Sequence, residues 1–252
     1  MHPPVSPAQL SVPSRTGRAG LATQCELCRQ WTQGDALCAD CEACFAQPRL
    51  RCACCALPTG TAVARCGGCL ATPELPYTGT VAAVDYAFPW DGLVTAFKFS
   101  GRVDLAEALA RRLADAVTDA VAASSPHDAA WVLPVPLSPA RLAERGYNQA
   151  WELARRVARL RGLPSDATLL QRPIDTAHQT GLDRAARTAN LAGSFMVDPN
   201  RRAELAGRSV ALVDDVMTTG ATVAAAAAVL RRAGAASVSV WVFARTPAPG
   251  RD

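Results

Sequence analysis

From Pro76 onwards the chain alternates short apolar runs with longer amphipathic ones. Thr80–Phe88 (TVAAVDYAF) predicts a strand. Asp91–Phe99 and Val103–Ala123 predict helices, the second with Leu105, Leu109, Leu113 and Val117 on one stripe. Ala129–Leu133 predicts a short buried strand, and Asn148–Leu160 an amphipathic helix with Trp151, Ala154, Val157 and Ala158 on one side. Arg155, Arg156 and Arg159 fall on its other side and read as a solvated face. A polar stretch, Arg172–Asn190, leads to a short strand at Ser194–Val197. Ser209–Val213 is a nearly continuous apolar strand, Ala221–Ala233 a helix with Gly234 suited to C′, and Ser237–Phe243 a final strand. Strands alternating with helices predict an α/β domain whose mainly parallel sheet is covered on both faces.

Composition changes this picture at the other end of the chain. The 252 residues are 50% apolar and 19% charged with a net charge of +4, enough for a sizeable core and too mildly basic to indicate nucleic acid. The longest stretches free of charged or breaker residues, Ala221–Leu230 and Ala235–Ala244, fall short of the roughly 18–20 residues that span a bilayer, so no membrane insertion is expected. The first 20 residues are rich in Pro, Ser and Gly and lack an apolar core, so no secretory signal and a cytoplasmic location are expected. All ten cysteines lie between Cys25 and Cys69. The expected organisation is a tail at 1–22, a Cys-rich module at 23–72, the α/β domain at 73–245 and a tail at 246–252.

Four CxxC pairs stand in the cysteine block: Cys25/Cys28, Cys38/Cys41, Cys52/Cys55 and Cys66/Cys69, their first members 13, 14 and 14 residues apart. Each CxxC turn aims two thiolates at one tetrahedral ion, and two turns complete a four-cysteine zinc site. Disulfides need an oxidising compartment, and a thioredoxin-like motif needs one CxxC rather than four. The eight ligands predict one or two structural Zn²⁺ ions, with the pairing open and Cys44 or Cys54 able to replace a neighbour. So few large apolar residues accompany them that the module is expected to unfold without metal and to stand as an appendage ahead of the domain.

The most informative segment is Val210–Val223, VALVDDVMTTGATV. An apolar strand ends in Asp214 and Asp215, and a Thr-Thr-Gly-Ala-Thr turn opens a helix. Ligands bind beyond the carboxyl ends of parallel strands. Free N–H groups at the helix start, with the hydroxyls of Thr218, Thr219 and Thr222, make a phosphate cradle, and carboxylates beside it suit sugar hydroxyls. One such site would hold a sugar phosphate. Neither GxxxxGK[ST] nor GxGxxG occurs.

This segment resembles the phosphoribosyl-pyrophosphate (PRPP) motif of type I phosphoribosyltransferases. With the cysteine pairs and the stretches FKFSGR (97–102), LPVPL (133–137), RGYNQ (145–149) and 176–190, the chain resembles the ComF/GntX family over nearly its whole length beyond residue 22. The resemblance implies a type I phosphoribosyltransferase sheet, with a ribose site at Asp214 and Asp215 and a 5′-phosphate loop of Thr218, Thr219, Gly220, Ala221 and Thr222. It implies a pyrophosphate side formed by Lys98, Arg102, Pro134, Val135, Pro136, Arg141 and Arg145, and a closing loop that includes Gln179, Arg187 and Asn190. Mg²⁺ would arrive with PRPP, held mostly by substrate oxygens and waters.

Lys98 also stands out by itself. It is the only lysine among 26 basic residues, which points to a site needing a compact ammonium rather than a planar fork. One departure concerns the acceptor. Where hypoxanthine and guanine salvage enzymes place an acid near the start of the phosphate loop, this chain has Thr218, which is no base at neutral pH; His178 is a weak substitute. The acceptor is therefore unknown. The family's association with natural transformation implies a second reading, a non-catalytic PRPP-fold component of DNA uptake contacting single-stranded DNA or a competence-machinery protein. Against a DNA groove, only six basic residues stand up to position 70 beside four acids, with no run of aromatics for stacking.

Overall fold

The computed structural model describes residues 22–32, 36–72, 75–123, 129–173 and 193–247. In chain order the elements are β1 (Thr23–Gln24), β2 (Trp31–Thr32), α1 (Ala39–Phe45), α2 (Gly67–Leu70), β3 (Gly79–Asp85) and α3 (Trp90–Phe99). A 3₁₀ turn at Val103–Leu105 runs into α4 (Ala106–Ala122), followed by β4 (Trp131–Pro134), α5 (Pro139–Arg145) and α6 (Gln149–Arg161). Then come β5 (Leu170–Gln171), β6 (Met196–Val197), a 3₁₀ segment (Pro199–Leu205), β7 (Ser209–Met217), α7 (Ala221–Arg232) and β8 (Ser237–Arg245).

The main sheet has the order β3-β8-β7-β4 with every neighbouring pair parallel. Side chains alternate across it as a strand requires. Ala211, Val213, Trp241 and Phe243 pack with Phe97, Leu109, Leu113, Leu153 and Val157 of α3, α4 and α6. Val210, Leu212, Val240 and Val242 face Val223, Ala227 and Leu230 of α7 on the other side. The α/β class with both faces covered is thus as expected, and no described helix is long and apolar enough to cross a membrane.

Three local differences have physical causes. Strand β7 continues through Asp214 and Asp215 to Met217, because β8 runs beside it and pairs Asp214 with Val242, Val216 with Ala244 and Met217 with Arg245. Backbone pairing there outweighs side-chain polarity. Helix α5 buries none of its residues, so it has no apolar period to read; only Pro139 at its start and Gly146, left-handed at φ 77°, mark its ends. The arginine face of α6 is not merely solvated: Arg159 and Arg156 reach Glu107 of α4 at 2.8 and 3.5 Å.

The cysteine module, which precedes the α/β domain in sequence, packs directly against it. It wraps the β3 edge of the sheet. The Thr80 amide and hydroxyl donate to the carbonyls of Ala53 (2.9 Å) and Cys54 (2.8 Å), covering an edge that would otherwise present free pairing groups. Cys25, Leu37, Cys41 and Ala46 join the core of α3 and α4, and Ala56 joins that of α7. Trp90 donates to the Phe45 carbonyl at 2.9 Å, and Arg51 pairs with Asp85 at 2.7 Å.

Candidate functional site

Strand β7 carries Asp214 and Asp215 to the carboxyl end of the sheet. Helix α3 turns the buried Phe97 into the core, and the next residue, Lys98, extends its ammonium to within 3.0 Å of Asp215 Oδ2. Asp215 Oδ1 accepts the Val216 amide at 2.8 Å, and Asp214 Oδ1 accepts the Asp215 amide at 2.9 Å. The compact cation singled out in the sequence therefore stands directly on the second acid of the pair.

Burial and the neighbouring charge of Asp215 push the Asp214 carboxyl up from 3.8 to about 8, against the opposing pull of Lys98. The folded, ligand-free chain therefore keeps a proton here that the unfolded chain releases. Between about pH 4 and 8 this group makes stability fall as pH rises. Asp214→Asn is expected to flatten that part of the slope in thermal melts at pH 5 and pH 8; an unaltered slope would show that Asp214 does not titrate there.

Beyond Met217, Thr218 and Thr219 are exposed and Gly220 is buried at φ 82°, after which α7 begins with Ala221 and Thr222 half-buried. The Thr219 hydroxyl accepts the Ala221 amide at 3.3 Å, and the helix has no side-chain cap at its N-cap, Gly220. A helix start of this kind is where anions bind in general. A Cβ on Gly220 would lie 2.6 Å from Met217 Cε and 3.6 Å from the Tyr77 hydroxyl. The Met217 methyl can swing aside, so the backbone bears most of the cost. Gly220→Ala is expected to destabilise by about 1–3 kcal/mol, read from the urea midpoint, and an unshifted midpoint would contradict it.

On the other flank, Pro134 ends β4 opposite Val213, Val135 donates its amide to the Val213 carbonyl at 2.8 Å, and Pro136 is buried. This loop therefore lies beside the acid pair. Residues 145–149 bracket the site. Asn148 donates to the Val135 carbonyl (3.1 Å) and caps α6 through the Ala150 amide (3.0 Å). Tyr147 donates its hydroxyl to the Phe97 carbonyl, and Gln149 donates to the Lys98 carbonyl at 3.4 Å. Arg145 donates to Gln149 at 3.0 Å, its guanidinium 5.0 Å from the centroid of Phe99. Arg141, one turn earlier on α5, has no ion pair among the described residues. Arg102 is otherwise engaged, at 2.7 Å from both Glu26 and Asp104. Gln179, Arg187, Asn190 and His178 lie outside the described residues.

The structure resolves the pairing that spacing leaves open. Cys25, Cys28, Cys38 and Cys41 form one cluster and Cys52, Cys55, Cys66 and Cys69 another, with ligand atoms within 4.8 Å of one another in each. Sulfur separations of 3.6 Å (Cys28–Cys38), 3.9 Å (Cys52–Cys69) and 3.7 Å (Cys55–Cys66) match the edge of about 3.8 Å of a tetrahedron with bonds of about 2.3 Å. The Cys41 and Cys66 amides donate to the sulfurs of Cys38 and Cys52 at 3.4 and 3.1 Å, which favours thiolates. Each cluster thus fits one metal ion. Cys44 and Cys54 stand outside both, and none of the ten cysteines is in a disulfide.

Sequence reasoning missed two residues, Tyr77 and Arg245. Tyr77 is buried, with its hydroxyl near Gly220, and Arg245 is buried at the end of β8. An arginine closing an apolar strand looks like an ordinary strand end, so no local signal was there to find it.

Comparison with known proteins accords with this geometry. The phosphoribosyl transferase domain family matches residues 103–252. The DNA utilization protein YhgH of Escherichia coli (strain K12) is 34% identical over 210 residues, spanning 83% of this chain and 90% of that protein. Competence protein F of Haemophilus influenzae is 35% identical over 180 residues, covering 71% and 78% of the two chains. Among solved structures, glutamine PRPP amidotransferase from B. subtilis complexed with ADP and GMP has a TM-score of 0.39 and 19% identity over 59% of this chain and 30% of that one, a likeness that carries no argument.

Proposed function

Because this chain belongs to the phosphoribosyl transferase domain family, as a ComF-type member with an N-terminal cysteine module, we propose that it binds PRPP as its magnesium complex and transfers the phosphoribosyl group to an acceptor. The observation that carries this reading is Lys98 on Asp215, beside a donor loop at Thr218–Thr222, at the carboxyl end of a parallel sheet. Asp214 and Asp215 would hold the ribose hydroxyls, residues 218–222 the 5′-phosphate, and Lys98 with Arg141 the pyrophosphate. In the transfer, the bond from the anomeric carbon to the pyrophosphate oxygen breaks and pyrophosphate leaves with the electron pair. The acceptor then bonds to that carbon and gives up its proton. Positioned cations around the departing charge supply most of the acceleration in such a step. Mg²⁺ adds charge neutralisation on the substrate's own oxygens.

Calorimetry with PRPP and Mg²⁺ tests the site. Binding is expected, weakened at least about tenfold by Asp215→Asn, since one hydrogen bond to a charged group is worth about 1.5–3 kcal/mol. An absence of heat at millimolar PRPP would overturn the reading. Pyrophosphate release on screening acceptors then separates an enzyme from a sensor.

Both cysteine clusters we read as structural zinc sites, because four thiolates fill a tetrahedron and leave no position for substrate. Reduced thiolate sites suit the cytoplasm. A role in DNA uptake is the second reading, favoured by the names of the relatives and by one surface feature. Trp31, Phe45 and Phe88 are exposed, with the rings of Phe45 and Phe88 5.7 Å apart. Exposed aromatics are what single-stranded DNA stacks on. A salt-dependent mobility shift with a single-stranded oligonucleotide, lost in Phe88→Ala, is the expected result; no binding at low salt would end this reading.

A further inference from the structure

Arg245 closes β8 with only 5% of its surface exposed. Its Nε donates to the Cys55 carbonyl at 2.8 Å. Its Nη1 donates to the carbonyls of Met217 (2.9 Å), Thr218 and Thr246 (2.9 Å). One guanidinium thus joins a ligand-bearing turn of the second cysteine cluster to the first residues of the 5′-phosphate loop. Tyr77 stands beside it as a second strut, buried next to Cys54, with its hydroxyl near Gly220. The first cluster reaches a different part of the domain. Glu26 pairs with Arg102, and the Phe45 and Ala46 carbonyls accept from Trp90 and Arg112 of α3 and α4.

The partners of Arg245 carry no full negative charge, and no carboxylate among the described residues pairs with it. A guanidinium cannot shed its proton, and a buried charge requires a counter-charge. Four thiolates around one divalent ion carry a net charge of about −2, and Cys55 is one of those four. The loaded second cluster therefore supplies the missing counter-charge at the end of the molecule where Arg245 sits.

We propose that Arg245 is a positioning residue coupling the metal of the second cysteine cluster to the 5′-phosphate loop: metal loss there loosens the loop, and PRPP bound in the loop slows metal loss. The two effects are one linkage seen from its two ends. The inference rests on the PRPP reading of the loop.

The test uses the full, zinc-loaded chain. A chelator with a thiol-alkylating reagent is added with and without magnesium-PRPP, and labelling of each cysteine is followed by mass spectrometry. PRPP is expected to slow labelling of Cys52, Cys55, Cys66 and Cys69 at least about fivefold, the low end of typical couplings, leaving Cys25, Cys28, Cys38 and Cys41 unaffected. Calorimetry on the same sample separates two failures. No heat with PRPP overturns the functional reading and this inference with it, whereas heat with equal protection of both clusters, or of neither, overturns the coupling alone. Arg245→Lys keeps the charge but lacks the fork that spans both turns. It is expected to bind zinc fully, to lose the selective protection and to bind PRPP at least about fivefold more weakly. Full protection in that variant would overturn the role of Arg245. Should Arg245→Lys not fold, the labelling pattern of the unaltered chain decides.

Discussion

Removing metal with a chelator is expected to unfold the cysteine module and to carry part of the α/β domain with it. The second cluster's own core is Cys52, Cys54, Cys55 and Cys69, with only Leu57, Val63, Leu75 and Cys66 packed against it, so little apolar surface remains once the ion is gone. Structural zinc contributes on the order of 10–16 kcal/mol per site in small modules, comparable with the whole stability of a typical domain. The damage spreads because the module covers the β3 edge. Without Ala53 and Cys54, the amide and hydroxyl of Thr80 lose their partners, and an uncovered edge strand is a template for aggregation. The melting temperature should fall by more than about 10 °C, with aggregation, and recover when Zn²⁺ is restored. An unchanged melt of fully stripped protein would show that the cysteines are not structural.

Replacing Lys98 by Met is expected to cost about 3–5 kcal/mol, because it leaves Asp215 as an uncompensated buried charge. The Lys98 and Asp215 side chains are only 19% and 9% exposed and 3.0 Å apart, so solvent screens the pair weakly. On the proposed reading, in which Lys98 contacts the pyrophosphate of PRPP, binding of PRPP should fall with it. The double variant Lys98→Met with Asp215→Asn should recover more than half of the lost stability, because no unpaired charge then remains. Denaturant midpoints of the four proteins measure the coupling. A loss under about 1 kcal/mol in the single variant would mean that water reaches Asp215 freely.

Both predictions depend on residues whose importance was legible to different degrees. The candidate site segment reads directly from VALVDDVMTTGATV, because a strand, an acid pair, a turn and a helix start are local features that neighbouring residues determine. Lys98 showed through as the lone lysine among 26 basic residues, but its partner did not: 117 positions separate it from Asp215. The RGYNQ stretch carried a resemblance without a role. Its role is to fasten α3 and the Val135 loop to the start of α6, visible only once all three meet. Arg102 stands in FKFSGR, whose resemblance implies an anion contact; its ion pairs with Glu26 and Asp104 are visible only in the fold.

The cysteine pairs show the same division. A CxxC turn is a local chelate, so four of them announce metal at once, and the alternating apolar runs announce a parallel α/β sheet with equal directness. Which turn joins which was decided by tertiary structure, as was the packing of the module along the β3 edge. The link from Cys55 through Arg245 to Met217 and Thr218 spans as many as 190 positions in sequence. Periodicity and spacing record what a residue does for its own element. A buried guanidinium gathering carbonyls from three segments leaves no such trace, because its partners are backbone atoms that any sequence would provide.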